Sequence, residues 1–215
     1  MHRVRLALWL GFVGLLSVGA YAARLTQGKP DNDSLYKYSV AAASLVQYAI
    51  MLGIVLAIAT FDRDLLAFRR PRSWPRALGL AGAVFAAVLI GLQLLDLVLH
   101  AGDEQGLVPK NWESSHAGAY AANFFVVAVV APFVEELTYR GLGYSLLAPF
   151  GQAAAILVVG ATFAASHGLI EGFPVLMLFG CALAWLRART DSVFPGMFVH
   201  GAFNAAALLV VVLVA

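Results

Sequence analysis

The sequence predicts an all-α, polytopic transmembrane bundle of about seven helices, with six and eight as the bounds, and two observations carry that prediction. Hydrophobic residues make up 61% of the chain and charged residues only 12%, against about 25% charged in an ordinary soluble domain. The apolar residues also come in runs near ~20, the length that crosses a hydrocarbon core of ~30 Å. Hydropathy marks segments at about 4–23, 35–61, 77–100, 117–140, 150–168, 173–187 and 193–214. With no internal repeat, low-complexity tract or soluble insertion, the chain reads as a single membrane domain. Residues 1–116 form its N-terminal helices and loops, and residues 117–215 its C-terminal helix core.

In the first segment, Arg3 and Arg5 precede the apolar run Leu6–Val18, and Ala20-Tyr21-Ala22 fits a signal-peptide cleavage pattern. The unbroken stretch from Val4 to Ala23 is also long enough to remain as a membrane helix, which is the reading adopted. The second and third segments are joined by a loop, Asp62–Arg76, that carries Arg63, Arg69, Arg70, Arg72 and Arg76, with Pro71 and Pro75 flanking an interfacial Trp74. Asp96 and His100, four apart near the end of the third segment, read as structural or snorkelling groups. The following loop, Ala101–His116, holds Asp103, Glu104 and Glu113 against Lys110 alone. This asymmetry places the N-terminus in the cytoplasm and the C-terminus outside: nine basic residues then lie inside (Arg3, Arg5, the five loop arginines, Arg187 and Arg189) against four outside (Arg24, Lys29, Lys37 and Lys110). A formal charge of +2 gives no basis for a nucleic-acid partner, and the basic loops suit anionic lipid head groups. The single cysteine, Cys181, sits in an apolar run, so neither an intrachain disulfide nor a multi-thiolate metal site can form.

Three of the last four segments carry polar groups that hydrocarbon disfavours by at least ~2.5–3.5 kcal/mol each, which makes them functional candidates. In Pro132-Phe-Val-Glu-Glu-Leu-Thr-Tyr-Arg-Gly141, Glu136 and Arg140 are four apart and can pair on one helix face. Glu135 points about 100° away toward another neighbour. The bland alternative is a salt-bridged helix end at the interface. His167 closes the small-residue helix Phe163-Ala-Ala-Ser-His167. His200 and Asn204, again four apart, stack on one face of the last helix, where the bland alternative is an interhelical hydrogen-bonded pair. Together the three helices supply what hydrolysis of an amide by water requires: a base, a partner that holds the water, and donors for an oxyanion. Glu135 would take a proton from water held by His167, and His200 with Asn204 would donate to the developing oxyanion.

A zinc ion on His167, His200 and Glu135 would also leave an open coordination position. No His-Glu-x-x-His element is present, however, and zinc would leave Asn204 idle, so no cofactor is expected. Buried Glu, His and Arg also build proton relays, so a binding or transport protein is the alternative class. A transporter would more often show repeated halves, and this chain shows none.

Glu-Glu-x-x-x-Arg at 135–140, Phe-x-x-x-His at 163–167 and His-x-x-x-Asn at 200–204, on successive helices, resemble the motifs of the CPBP family. That family comprises CAAX prenyl proteases with bacteriocin-processing and immunity-type relatives, and the likeness covers roughly residues 117–214. It implies a glutamate-type intramembrane endopeptidase acting on a membrane-associated peptide or protein tail. The first glutamate and first histidine would activate water, and the last histidine and asparagine would form the oxyanion hole, with Glu136 and Arg140 in support. The immunity-type relatives keep a non-proteolytic role as the alternative, and no residue specifies the oligomeric state or a lipidated substrate. One geometric demand follows from the segment boundaries. A helix ending at Arg140 and another starting near Gln152 would leave Glu135 and His167 about 20 Å apart in depth. They meet only if Gly141–Gln152 turns inside the protein, as non-helical backbone lining a cavity.

Overall fold

The computed structural model describes residues 2–28, 31, 33–99, 104, 109 and 111–214. His100, Lys29, Asp103 and Lys110 lie outside the described residues, as does the side chain of Asp96, and with them the expected structural role of Asp96 with His100. The described residues form an all-α bundle with no strand: α1 (His2–Gln27), α2 (Tyr38–Ala59), α3 (Trp74–Leu99), α4 (Ser114–Phe150), α5 (Gln152–Ala165), α6 (Phe173–Thr190) and α7 (Phe194–Val214). Five of these are long and apolar enough to cross a membrane, while α5 is shorter and α7 carries a shorter apolar stretch.

Helix α4 is the axis of the fold. Its apolar window is 44% buried, against 11% for α1 and 17% each for α2 and α3. The outer helices bury narrow stripes at helical spacing, such as Met51, Val55 and Ala59 on α2 and Ala77, Ala81, Val84 and Val88 on α3. Their other faces leave Leu15, Ile50, Ile90 and Leu97 exposed, an apolar surface far too extensive for water and suited to lipid. α1 is a full member of the bundle: Trp9 and Val13 are buried, and the Trp9 indole Nε1 donates to the Thr138 carbonyl at 2.9 Å.

α4 runs well past the expected end at Arg140 and stays helical to Phe150. The expected non-helical turn over Gly141–Gln152 is therefore not what forms; the reversal is made at Gly151, whose φ of 114° suits glycine. Fifteen residues lead from Glu135 to Phe150 and fifteen return from Gln152 to His167. The two legs, each about 22 Å at helical rise, bring His167 back to the depth of Glu135.

Two π-helical stretches, Val126–Val130 and Leu137–Gly143, flank the segment Ala131–Glu136. Pro132 accounts for the first. It has no N–H, so it breaks the α-helical ladder, and the Ala131 N–H bonds back to Val126 instead. The Val127 carbonyl then has neither an α nor a π partner on its own helix. α5 and α6 pack through glycines: a Cβ on Gly180 would lie 2.9 Å from the Gly160 Cα. Gly168, in the left-handed region at φ 66°, meets α1 so closely that a Cβ would lie 2.7 Å from the Ala20 backbone.

The bundle has two distinct ends. At one, the Glu104 carboxylate accepts the backbone N–H groups of Ile170 and Gly172 at 2.8 and 2.7 Å, beside Arg24. At the other, the arginine-rich loop after α2 folds inward, burying Leu66 and Ala67, and Arg69 pairs with Asp191 at 2.7 Å. A Cβ on Gly141 would lie 2.6 Å from the Leu66 carbonyl, so α4 and this loop pack backbone to backbone.

Candidate active site

The polar residues of α4, α5 and α7 converge beside a cavity of about 450 Å³ lined by Glu135, His167, His200 and Asn204, with apolar walls from α3, α6 and Phe203. A second cavity of about 560 Å³, between α1 and α2, reaches Glu135 and His167 from another side. Tyr48, Glu135 and His167 border both.

The two adjacent glutamates have opposite surroundings, as their ~100° separation on the helix requires. Glu136 faces inward and is fully buried with Arg140: Arg140 Nη1 donates to Glu136 Oε1 at 2.9 Å, and both side chains have 0% exposure. Arg140 Nη2 donates to the Gly180 carbonyl at 3.1 Å, and the guanidinium lies 4.4 Å from the Phe163 ring centre. Gly196 of α7 faces Glu136 Oε2 so closely that no Cβ would fit. Glu135 lines the cavity instead. The Tyr48 hydroxyl donates to its Oε1 at 2.8 Å, and its Oε2 lies 3.7 Å from His200 Nε2, longer than a hydrogen bond.

Hydrogen-bond accounting constrains both histidines. His167 Nδ1 is 2.8 Å from the Phe163 carbonyl, which can only accept, so Nδ1 carries the proton and the neutral ring keeps a lone pair on Nε2. His200 Nδ1 faces Glu136 Oε1 at 3.2 Å while its Nε2 faces Glu135. A carboxylate oxygen only accepts, so Nδ1 carries the proton that faces Glu136, while Nε2 lies beyond hydrogen-bond distance of Glu135. Phe163 packs against both imidazoles, with ring centres 4.7 Å from His167 and 5.8 Å from His200. Asn204 Nδ2 donates at 2.8 Å to the Val127 carbonyl, the group left without a helical partner by Pro132. One N–H of that amide remains for another acceptor.

Tyr48 was not among the residues expected from sequence. Its only signal there is that Gln47-Tyr48 interrupts an otherwise apolar run. Tyr139 and Ser166, hydrogen-bonded to each other at 2.7 Å, line the second cavity and were also not expected. His167, His200 and Glu135 border one cavity, yet among the described residues no three His, Cys, Asp or Glu side chains come close enough to hold a metal ion.

A multi-pass helical bundle enclosing two carboxylates, an arginine, two histidines and an amide defines a membrane protein with a chemically equipped interior. Residues 117–206 match the family described as type II CAAX prenyl endopeptidase Rce1-like. That segment spans α4 to α7 and holds all three motifs that resemble the CAAX-protease-like (CPBP) family, and the match supports an integral membrane protease. No curated protein and no solved structure matches the chain.

Proposed function

We propose that this protein is a glutamate-type intramembrane endopeptidase that hydrolyses a peptide bond in a membrane-associated peptide or protein tail. The observation that carries this reading is the division between the two glutamates: Glu136 is sealed by Arg140, while Glu135 borders a cavity with His167, His200 and Asn204. Glu135 accepts a proton from water that His167 also holds, and the hydroxide adds to the scissile carbonyl carbon as the carbonyl π pair moves onto oxygen. His200 Nε2–H and the spare N–H of Asn204 donate to that oxyanion. Its collapse breaks the C–N bond, and the leaving amine takes the proton from Glu135. Tyr48 holds the glutamate by its other oxygen. His200 can donate to Glu136 and to an oxyanion at once only as the imidazolium.

No cofactor takes part in this scheme. The family's printed name makes a C-terminal CAAX tail one substrate to try, in prenylated and unprenylated forms. The arginine-rich end is taken as cytoplasmic, with the N-terminus inside and the C-terminus outside. The decisive experiment compares purified wild type with Glu135→Gln on membrane-reconstituted tail peptides. Cleavage by wild type and none by the variant is expected. Full cleavage by Glu135→Gln would remove the assignment, and binding without cleavage by wild type would favour an immunity or transport role.

A further inference from the structure

Away from the reaction cavity, a polar pocket of about 400 Å³ opens where the first turn of α3 meets the last turn of α6. Arg72, Arg76 and Arg189 line it, drawn from two parts of the sequence more than a hundred residues apart. None of the three forms a hydrogen bond or ion pair with another described residue, and Arg189 only stacks on Trp185 at 5.1 Å. The one acid in the wall, Asp191, is already shared by Arg69 at 2.7 Å and Arg187 at 3.0 Å. Both of those contacts fall on Oδ1 and neither involves the trio, so Arg72, Arg76 and Arg189 have no carboxylate partner among the described residues. Such a concentration of forked donors around one pocket, with Ser73 also in the wall, has the chemistry that binds a phosphate group.

The pocket lies at the level where membrane helices begin and end. Trp74, 43% exposed, opens α3 beside it, and Leu78, 52% exposed, starts the lipid-facing surface one turn further along. Phosphate at that level belongs to lipid head groups. We propose that Arg72, Arg76 and Arg189 form a specific site for the phosphate of an anionic phospholipid, separate from the reaction cavity. The proposal goes beyond proteolysis and does not depend on it.

The full-length protein would be placed in nanodiscs of phosphatidylcholine alone or phosphatidylcholine with phosphatidylglycerol at seven to three. Retained lipid is then counted by native mass spectrometry, and thermal unfolding is followed in parallel. Wild type should keep phosphatidylglycerol bound and unfold at higher temperature in the mixed discs. The triple variant R72Q/R76Q/R189Q should lose both effects. Arg63→Gln with Arg70→Gln and Arg3→Gln removes the same charge elsewhere at this end and should leave both effects intact. The single variant Arg189→Gln, which leaves the loop untouched, should weaken retention if the triple variant does not fold. Equal losses from the control set would overturn the site in favour of general surface attraction. Inorganic phosphate that stabilises wild type in phosphatidylcholine discs as fully as phosphatidylglycerol does would overturn the lipid as its source.

Discussion

The two glutamates of α4 should separate cleanly into a structural and a chemical residue when each is replaced by glutamine. Glu136 and Arg140 are both at 0% exposure, and beyond that carboxylate Arg140 meets the Gly180 carbonyl and the rings of Phe163 and Tyr139. Removing one member of a buried pair strands the other charge, at a cost of about 3–5 kcal/mol. The glutamine oxygen can still accept one hydrogen bond, so Glu136→Gln should fall near the lower figure and Glu136→Ala near the upper. Against a total stability of about 5–15 kcal/mol, either is a large loss. Glu135 makes only the Tyr48 hydrogen bond, which a glutamine oxygen can also accept, so Glu135→Gln should be destabilised by less than about 1 kcal/mol. Unfolding in a detergent titration, read beside peptide cleavage, gives both quantities. Glu135→Gln should fold like wild type and not cleave, whereas Glu136→Gln should unfold early. Wild-type stability in Glu136→Gln, or equal destabilisation of both variants, would refute the division of roles.

Asn204→Ala should lower kcat by about 10² to 10³, the usual effect of losing an oxyanion donor, and a wild-type kcat would leave Asn204 as a helix-bracing residue through Val127. Tyr48→Phe removes a donor to the base and should lower kcat about tenfold with KM unchanged; a change in KM alone would move Tyr48 to substrate binding. Cleavage should persist with chelators, and loss reversed by zinc would replace the metal-free scheme. Asp191 should show its pairing through pH. Its burial pushes the carboxyl up, but the hydrogen bond from Arg69 and the charges of Arg187 and Arg69 outweigh this and hold it below 3.8. A depressed folded value means that the stabilisation is complete above the unfolded value and is lost as pH falls through the folded one. The difference in Tm between wild type and Asp191→Asn should therefore be flat from about pH 5 to 8 and close only below about pH 4.

Spacing made part of the site legible. Residues four apart on a helix share a face, which was enough to pair Glu136 with Arg140, turn Glu135 elsewhere and align His200 with Asn204. Depth was not legible, because a guanidinium in an apolar segment reads as a helix end at the interface. Arg140 is instead buried and neutralised, so α4 continues ten residues beyond it and the return through α5 reaches the right level. The partner of Asn204 was hidden for a different reason: the Val127 carbonyl is orphaned only by the π register around Pro132. Tyr48 was obscured by its setting in a segment whose hydropathy marks only a span. The inward fold of the arginine-rich loop was equally hidden, since Leu66 and Ala67 are two apolar residues among many charges.

A membrane interior tolerates this set of groups because they partner one another. Arg140 pairs with Glu136, His200 Nδ1 faces the same carboxylate and Glu135 faces His200 Nε2, so each group keeps a partner or faces the cavity. In the proposed mechanism, proton transfer from water to Glu135 would leave the local charge unchanged overall, since the negative charge lost by the carboxylate would reappear on the oxyanion beside His200. Charge would then move a short distance between neighbours without being created alone in a low-dielectric site. Glu136 enters this economy through geometry: by holding both Arg140 Nη1 and His200 Nδ1 on one oxygen, it links the buried brace to the histidine that faces the reaction cavity. The close approach of Gly196, the third residue of α7, to the same carboxylate lets α7 sit at the distance this link requires.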